Sequence, residues 1–378
     1  MIIGHFDLDL GTKGGITTYI KHVSTLQLLQ GHKTYYFTRS PDLNPIFESH
    51  TPIYVKTDDE LFTYSERLNL DILHLHNGIN TAPPRHLSVL RTLHGHHPYC
   101  PSGSKYLGKW EKPCDRLYSP QGCLWGHLID GCGSKRPQSI ISAFRNLRDE
   151  KRSLENIPII TVSHFLRQQL IATGYNEKLI QTLYLFGPNV TEQVELPKDE
   201  VPNFIFLGRI TPLKGLEWLL RAMVKVKVPV HLHIAGEGYQ ETEMKVLATK
   251  LDIEEKVTFH GWVTAADTQK LIQSSRAVIF PSIWHEPGGT VAFEAMAHSR
   301  AIIMSRVGGM PEVVKDNFNG LLVNPNDIEE LARKIEILAT DRMLAKKLGA
   351  QGHEIVINDF QIQHHVDKLM RIYEQISS

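Results

Sequence analysis

Short apolar runs alternate with stretches of helical periodicity from one end of the chain to the other, and that alternation leaves few folds open. Runs at residues 2–6, 34–37, 53–55, 72–76, 89–93, 158–162 and 180–185 read as strands of a first half. Runs at 204–207, 230–235, 257–260, 277–280, 301–304 and 321–323 read as strands of a second. Between them apolar residues recur at helical spacing, as Ile16, Tyr19, Ile20, Val23 and Leu26 do. Such alternation builds parallel sheets covered by helices on both faces. The chain has 378 residues, more than one core usually serves, so two domains are expected. The polar, turn-forming segment 187–203 (GPNVTEQVELPKDEVPN) is the expected linker between them. From residue 328 onward the pattern is helical, with a dip at 358–361.

Charge and hydropathy narrow the function classes. Lys and Arg balance Asp and Glu at 41 each, so no global basic charge points to nucleic acid. No apolar run reaches about 18 residues, the length a membrane-spanning helix needs. The opening MIIGHFDLDL carries acidic residues where a signal peptide keeps its apolar segment, so a cytoplasmic enzyme is expected.

The stretch with the most chemistry is 280–297, FPSIWHEPGGTVAFEAMA. An apolar run leads into Pro281, Ser282, Pro287, Gly288 and Gly289, which break regular structure. From Thr290 the chain turns helical and is apolar on every side except at Glu294. An all-round apolar helix is an interior helix, and a carboxylate on it needs groups to accept from. Glu286, eight residues earlier in the loop, has the same need. The open N–H groups at the helix start, Thr290 and Val291, form an anion site between the two carboxylates. Carboxylates for hydroxyls and a helix end for phosphate together suit a nucleotide-sugar.

Two further loops follow strands. GRITPLKG at 208–215 puts Arg209 and Lys214 at a strand's carboxyl end, where they would neutralise a diphosphate. Gly11-Thr12-Lys13-Gly14-Gly15 follows the first strand and opens a helix; its glycines would let a phosphate approach backbone N–H groups. A plain tight turn is the alternative there.

Taken together, the two glutamates with seven residues between them, GRITPLKG, the glycine turn and VGGMPEVV at 307–314 resemble the retaining glycosyltransferases of family 4. The resemblance implies the α/β GT-B fold, two doubly wound Rossmann-like domains facing a central cleft. It implies an acceptor-binding domain at 1–188, a nucleotide-sugar domain at 189–360 and a final helix at 361–378 packed back on the first. On this basis Glu286, Gly288 and Gly289 would hold the sugar, and Glu294 the ribose. Arg209 and Lys214 would bind the diphosphate, with Gly14 and Gly15 approaching it from the other domain. His94 would lie near the reacting sugar, and Glu286, His94, Arg209 and Lys214 form the expected catalytic set. Gly288 stands where the family commonly has an aromatic residue, which leaves the donor sugar open. The expected donor is a UDP-sugar before a GDP-sugar, with no cofactor for catalysis. A nucleotide-sugar epimerase of the same fold and a non-catalytic nucleotide-sugar or glycan-binding protein are the competing readings. Asp7-Leu8-Asp9 has the form of the metal-binding D-x-D of the other large glycosyltransferase fold, but following a first strand it reads as structural.

Residues 95–137 break the strand–helix rhythm and read as an insertion in the first domain. They contain Cys100, Cys114, Cys123 and Cys132, the only cysteines. A structural zinc site, free thiols and disulfides are all open, and His96, His97 or His127 would replace a thiolate in the first case. Between Lys105 and Arg152 there are ten Lys or Arg against five Asp or Glu. With Tyr106, Trp110, Leu124 and Trp125, this basic region suits either a solvated face or peripheral contact with an anionic membrane surface.

Overall fold

A computed structural model describes residues 1–11, 14–41 and 51–377 of the chain. In chain order the strands are β1 (Ile2–Asp7), β2 (Lys33–Thr38), β3 (Ile53–Tyr54), β4 (Ile72–Leu75) and β5 (Val89–Leu93). A short hairpin, β6 (Tyr106–Leu107) and β7 (Lys112–Pro113), precedes β8 (Ile159–Thr161) and β9 (Ile180–Thr182). Then come β10 (Asn203–Leu207), β11 (His231–Ala235), β12 (Val257–Gly261), β13 (Ala277–Phe280), β14 (Ala301–Ser305) and β15 (Leu321–Val323). Every expected apolar run is a strand.

The first sheet runs β3-β2-β1-β4-β5-β8-β9 and the second β12-β11-β10-β13-β14-β15; all their pairings are parallel. The central strands β4, β5, β13 and β14 are buried at every position. Helices cover both faces of such sheets, so unbroken apolar strands are what they require. In each sheet the order reverses beside the first strand of its half, at β1/β4 and at β10/β13. Ligands of open α/β sheets bind outside the carboxyl ends of strands at such switch points.

The chain divides into two compact units, 1–104 with 116–185 and 362–378, and 105–115 with 186–361. Two features depart from the sequence reading. The insertion does not lie wholly in the first half, because Lys105–Asp115 belongs to the second unit. The reason is Tyr106, which is buried among Phe204, Trp218 and Ile234 in the second core. Asn326 also donates to the carbonyl of Glu111.

The expected linker 187–203 is likewise part of the second unit. Its anchor is Arg300, a fully buried side chain with no acidic partner in hydrogen-bond contact. Its guanidinium donates to the carbonyls of Val194 (2.8 Å), Glu195 (2.8 Å), Gln273 (2.6 Å), Ile272 (3.2 Å) and His298 (3.1 Å). Arg342 holds the next residues through the carbonyls of Leu196 and Pro197. A buried charge is tolerable when its donors are all used.

The final helix, Ile362–Ser377, belongs to the first unit, with Val366, Leu369 and Tyr373 buried. Tyr373 Oη lies 2.6 Å from His74 Nδ1, and Tyr19 Oη 2.8 Å from His365 Nε2. Among the described residues no helix is long and apolar enough to cross a membrane.

Replacing Arg300 with Met leaves several buried carbonyls without donors. We expect Arg300→Met to lower unfolding stability by about 3 kcal/mol in urea denaturation. A loss within about 0.5 kcal/mol, the range of an ordinary surface change, would contradict the anchoring role.

Candidate functional site

The second unit gathers its polar residues at the carboxyl ends of β10 and β13. Glu286 is buried, and its Oε1 receives three donors: Lys214 Nζ at 2.6 Å, Ser282 Oγ at 2.5 Å and Trp284 Nε1 at 2.6 Å. The Lys214 ammonium also sits 5.0 Å from the Phe280 ring centroid and 5.5 Å from that of Trp284. A carboxylate and an ammonium can be buried together only when paired and hydrogen-bonded, and this cluster meets that condition.

Two glycines make the cluster possible. Gly215 has φ +69°, and a Cβ there would stand 1.9 Å from the carbonyl oxygen of Pro281. The loop after β10 can therefore lie against the loop after β13, where Trp218 Nε1 donates to Pro281 O and the Ile283 N–H to Leu213 O. Gly308, at φ +56°, would place a Cβ 2.2 Å from Glu286 O. Next to it the Gly309 N–H donates to that oxygen at 2.9 Å, so the VGGMPEVV turn clamps the backbone of Glu286. The Gly308 N–H donates to His285 Nδ1 at 3.1 Å. That leaves the His285 proton on Nε2, which donates to Asp115 at 2.9 Å. Burial holds His285 below its ordinary pKa, against the pull of Asp115.

Arg209 is exposed and makes no ion pair or side-chain hydrogen bond with described residues. Gly289 is buried, and a Cβ on it would meet Met310 Sδ at 2.7 Å; Gly288 beside it is half-buried. No side chain caps the helix Thr290–Ala297, and its first turn carries no acidic residue. Thr290 and Val291 therefore precede the first bonded N–H, that of Ala292 to Gly289 O at 3.1 Å. Glu294 is half-buried, and its carboxyl has no hydrogen-bond partner among the described residues. Burial raises its pKa above the ordinary carboxylate value.

This differs from the sequence reading in one respect. Glu286 is not simply an open acceptor for sugar hydroxyls, because Oε1 is filled by the chain's own donors. Only Oε2 is left to receive a ligand. Trp284 and Ser282, which supply two of those donors, stood in the sequence within four residues of Glu286 and were not assigned a role.

In the first unit, Gly14 has an extended φ of −165° and precedes the helix Gly15–Leu29. A Cβ on Gly14 or Gly15 would meet nothing within 4 Å. Packing against the described residues does not ask for glycine here, and no side chain caps the helix start. Thr12 and Lys13 of the same motif lie outside the described residues. His94 follows β5, is half-buried, and is bonded through Nε2 to His76 Nδ1 at 3.1 Å. Burial, reinforced by Arg91, holds its pKa down to about 3, so it is neutral at physiological pH. Asp7 is buried at the end of β1 and bonded to Asn77, while Asp9 accepts from the Gly11 N–H at 3.0 Å. Both D-x-D carboxylates are thus engaged in local structure.

The four cysteines are half-buried, and Cys114 belongs to the second unit while Cys100, Cys123 and Cys132 belong to the first. Among the described residues, the set of three ligand atoms within 4.8 Å of one another is His5, His74 and His76, not the cysteines. A cavity of about 650 Å³ in the first unit is lined by Tyr118, Arg148, Lys151 and Tyr175, and contains none of the expected site residues.

The fold is GT-B: α/β, with parallel sheets in two Rossmann-like domains. A sucrose-phosphate synthase of Thermosynechococcus elongatus superposes with a TM-score of 0.74 at 21% identity, over 99% of this chain and 98% of that one. An Anabaena protein crystallised in complex with UDP-glucose gives 0.70 at 18% identity, over 99% and 100%. Residues 190–355 match the family described as glycosyl transferases group 1. An uncharacterized glycosyltransferase of Methanocaldococcus jannaschii is 29% identical over 276 residues, 72% of this chain and 66% of that protein. The chain spans about half the length of other curated relatives it matches. These similarities support a glycosyltransferase.

Glu294 provides a test independent of any substrate. A carboxyl whose folded pKa is raised costs no stability while protonated in both states, and costs stability as pH rises through the folded value. Glu294→Gln removes that cost, so the ligand-free variant should melt at a higher temperature than the parent near pH 8. The gain should vanish on acidification below the ordinary carboxylate range. An unchanged or lower melting temperature at pH 8 would argue against a strained carboxylate.

Proposed function

We propose that this protein transfers a sugar from a nucleoside diphosphate, a UDP-sugar before a GDP-sugar, to an acceptor hydroxyl with retained configuration and without a catalytic metal. The observation that carries the proposal is the Lys214–Glu286 cluster beside the unpartnered Arg209, at the carboxyl ends of β10 and β13. Arg209 and Lys214 bind the diphosphate and the helix start at Thr290 and Val291 adds N–H donors. Glu294 accepts from the ribose hydroxyls, and Glu286 Oε2 from the sugar. The name of the Anabaena neighbour, which includes UDP-glucose, supports the choice of donor.

The chemistry asks mainly for placement and charge. The bond from the anomeric carbon to the diphosphate oxygen breaks, and the bond to the acceptor oxygen forms on the same face. The acceptor's proton passes to the departing diphosphate oxygen, whose growing negative charge Lys214 and Arg209 offset. Glu286 holds Lys214 in place for this, which gives it a positioning task beside its contact with the sugar.

A UDP-sugar at about 100 times its Kd should stabilise the protein by about 2.7 kcal/mol in a thermal-shift series. Lys214→Ala should lower kcat by about 10²–10³ in a protein that still folds, with a lower melting temperature because the buried Glu286 carboxylate loses its cation. Near-normal turnover in that variant would refute the assignment of the diphosphate site.

A membrane-bound acceptor is consistent with the surface of the first unit. Leu117, Leu124, Trp125, Leu128, Ile129 and Ile141 are all exposed. In the sequence they are interspersed with Lys135, Arg136 and Arg145, a combination suited to an anionic lipid surface. Tyr106, expected to share in this face, is buried in the second core and takes no part. Co-sedimentation should show binding to vesicles containing phosphatidylglycerol but not to phosphatidylcholine alone, with Trp125→Ser and Leu128→Ser weakening it. Equal recovery with both vesicles would exclude this docking.

A further inference from the structure

In the first unit, a side chain of a helix, one of β1 and two that directly follow β4 and β5 stand in single file. Gln27, on the helix Gly15–Leu29, places Oε1 2.9 Å from His5 Nε2. His5 Nδ1 is 3.1 Å from His76 Nε2. His76 Nδ1 is 3.1 Å from His94 Nε2. Gln27, His5 and His76 are buried, and His94 at the end is half-buried.

A neutral imidazole has one N–H and one lone pair, so a file of them can run in only one direction at a time. The near end sets that direction. The Gln27 Nε2 faces Met370 Sδ at 3.9 Å, and a thioether accepts hydrogen bonds but cannot donate them. The amide also bonds Tyr373 in the sense of a donor to the phenol oxygen, so it keeps its N–H side toward Met370 and Tyr373 and its oxygen toward His5. Since that oxygen only accepts, His5 carries its proton on Nε2 and offers a lone pair at Nδ1. His76 must then donate from Nε2 and accept at Nδ1. His94 donates from Nε2, and its Nδ1, with no hydrogen-bond partner among the described residues, is left as a lone pair.

We propose that Gln27, His5 and His76 fix the tautomer of His94, so that His94 presents a hydrogen-bond acceptor at Nδ1 to a hydroxyl of the sugar ligand. Gln27, His5 and His76 are positioning residues on this view, and the ligand part of the inference rests on the glycosyltransferase reading above. An acceptor at Nδ1 suits a hydroxyl and disfavours a phosphate oxygen, which also brings only lone pairs. Burial keeps the file uncharged: His5 is held down to about 4, His94 to about 3, and His76 well below its ordinary value.

The competing use of the same rings is as a metal site, since His5, His74 and His76 are close enough to share an ion. All six of their ring nitrogens already have partners. His74 Nδ1 pairs with Tyr373 Oη at 2.6 Å, and Nε2 with Thr92 Oγ1 at 2.6 Å. An ion would have to break these bonds, so the hydrogen-bonded file is the better account.

The test is the ¹⁵N–¹H spectrum of histidine-labelled full chain, with the His94 ring signals assigned by their loss in His94→Asn. The expected spectrum shows His94 protonated at Nε2 alone. In Gln27→Leu, which removes the terminal acceptor, both His94 tautomers should appear. The transfer rate kcat should then fall about 5–10-fold, with the donor KM and the pattern of the remaining amide signals little changed. Gln27→Glu, whose carboxylate also only accepts, should keep the parent tautomer and covers the case in which Gln27→Leu does not fold. A proton on Nδ1 of the parent His94, or an unchanged tautomer in Gln27→Leu, would overturn the proposal. If the tautomer shifts and kcat does not, the role toward the sugar falls. If the parent turns over no nucleotide-sugar at all, the proposed function fails, while the spectrum still decides whether the file sets the tautomer.

Discussion

A buried carboxylate must be compensated, and the way Glu286 is compensated shapes the whole second unit. Its Oε1 draws a cation from the loop after β10 and two neutral donors from the loop after β13. Those loops come from strands adjacent in the sheet and 70 residues apart in sequence, and they can approach only because Gly215 lacks a side chain. The VGGMPEVV turn then closes on the Glu286 backbone from the next strand out. Three strand ends are thereby tied to one residue, two through its Oε1 and the third through its backbone carbonyl. The ammonium is held before any ligand arrives, and preorganised charge of this kind costs no rearrangement at the moment of reaction.

Glu294 shows the opposite treatment of the same residue type. It lies on an apolar helix with no donor to meet it, and its raised pKa registers that lack. Within a fold that meets Glu286 and Arg300 from its own atoms, an unmet carboxylate beside an uncapped helix start marks where the chain relies on something else. Its cost to the free protein is small against a whole domain's stability, and functional sites are where such local conflicts are expected.

Much of this was readable from residues alone, because parallel strands buried on both faces leave a plain signature. The runs around 204–207, 277–280 and 301–304 could hardly be anything else. GRITPLKG and the two spaced glutamates could be placed at the carboxyl ends of β10 and β13, since a loop after a strand has few places to go. What escaped notice depended on long-range contacts. Nothing local in Tyr106 says that it fills a core formed by residues a hundred positions later. Segment 187–203 looks like a linker until Arg300 is seen holding its carbonyls. His5 lies in β1 while His76 and His94 directly follow β4 and β5, each an unremarkable lone histidine, and only the adjacency of those strands brings them into file with Gln27.

The passage of the hairpin β6–β7 into the second unit bears on how such a protein can be taken apart. The polypeptide crosses between the units at 104/105, 115/116, 185/186 and 361/362 rather than once. A gene cut at residue 186 would deliver a second unit with a hole where Tyr106 belongs and His285 stripped of Asp115. Recombination between related enzymes, whether natural or in the laboratory, must therefore move the eleven-residue hairpin with the far half of the chain or evolve a plug in its place. Modularity in this architecture is a property of the packed object and not of the reading frame.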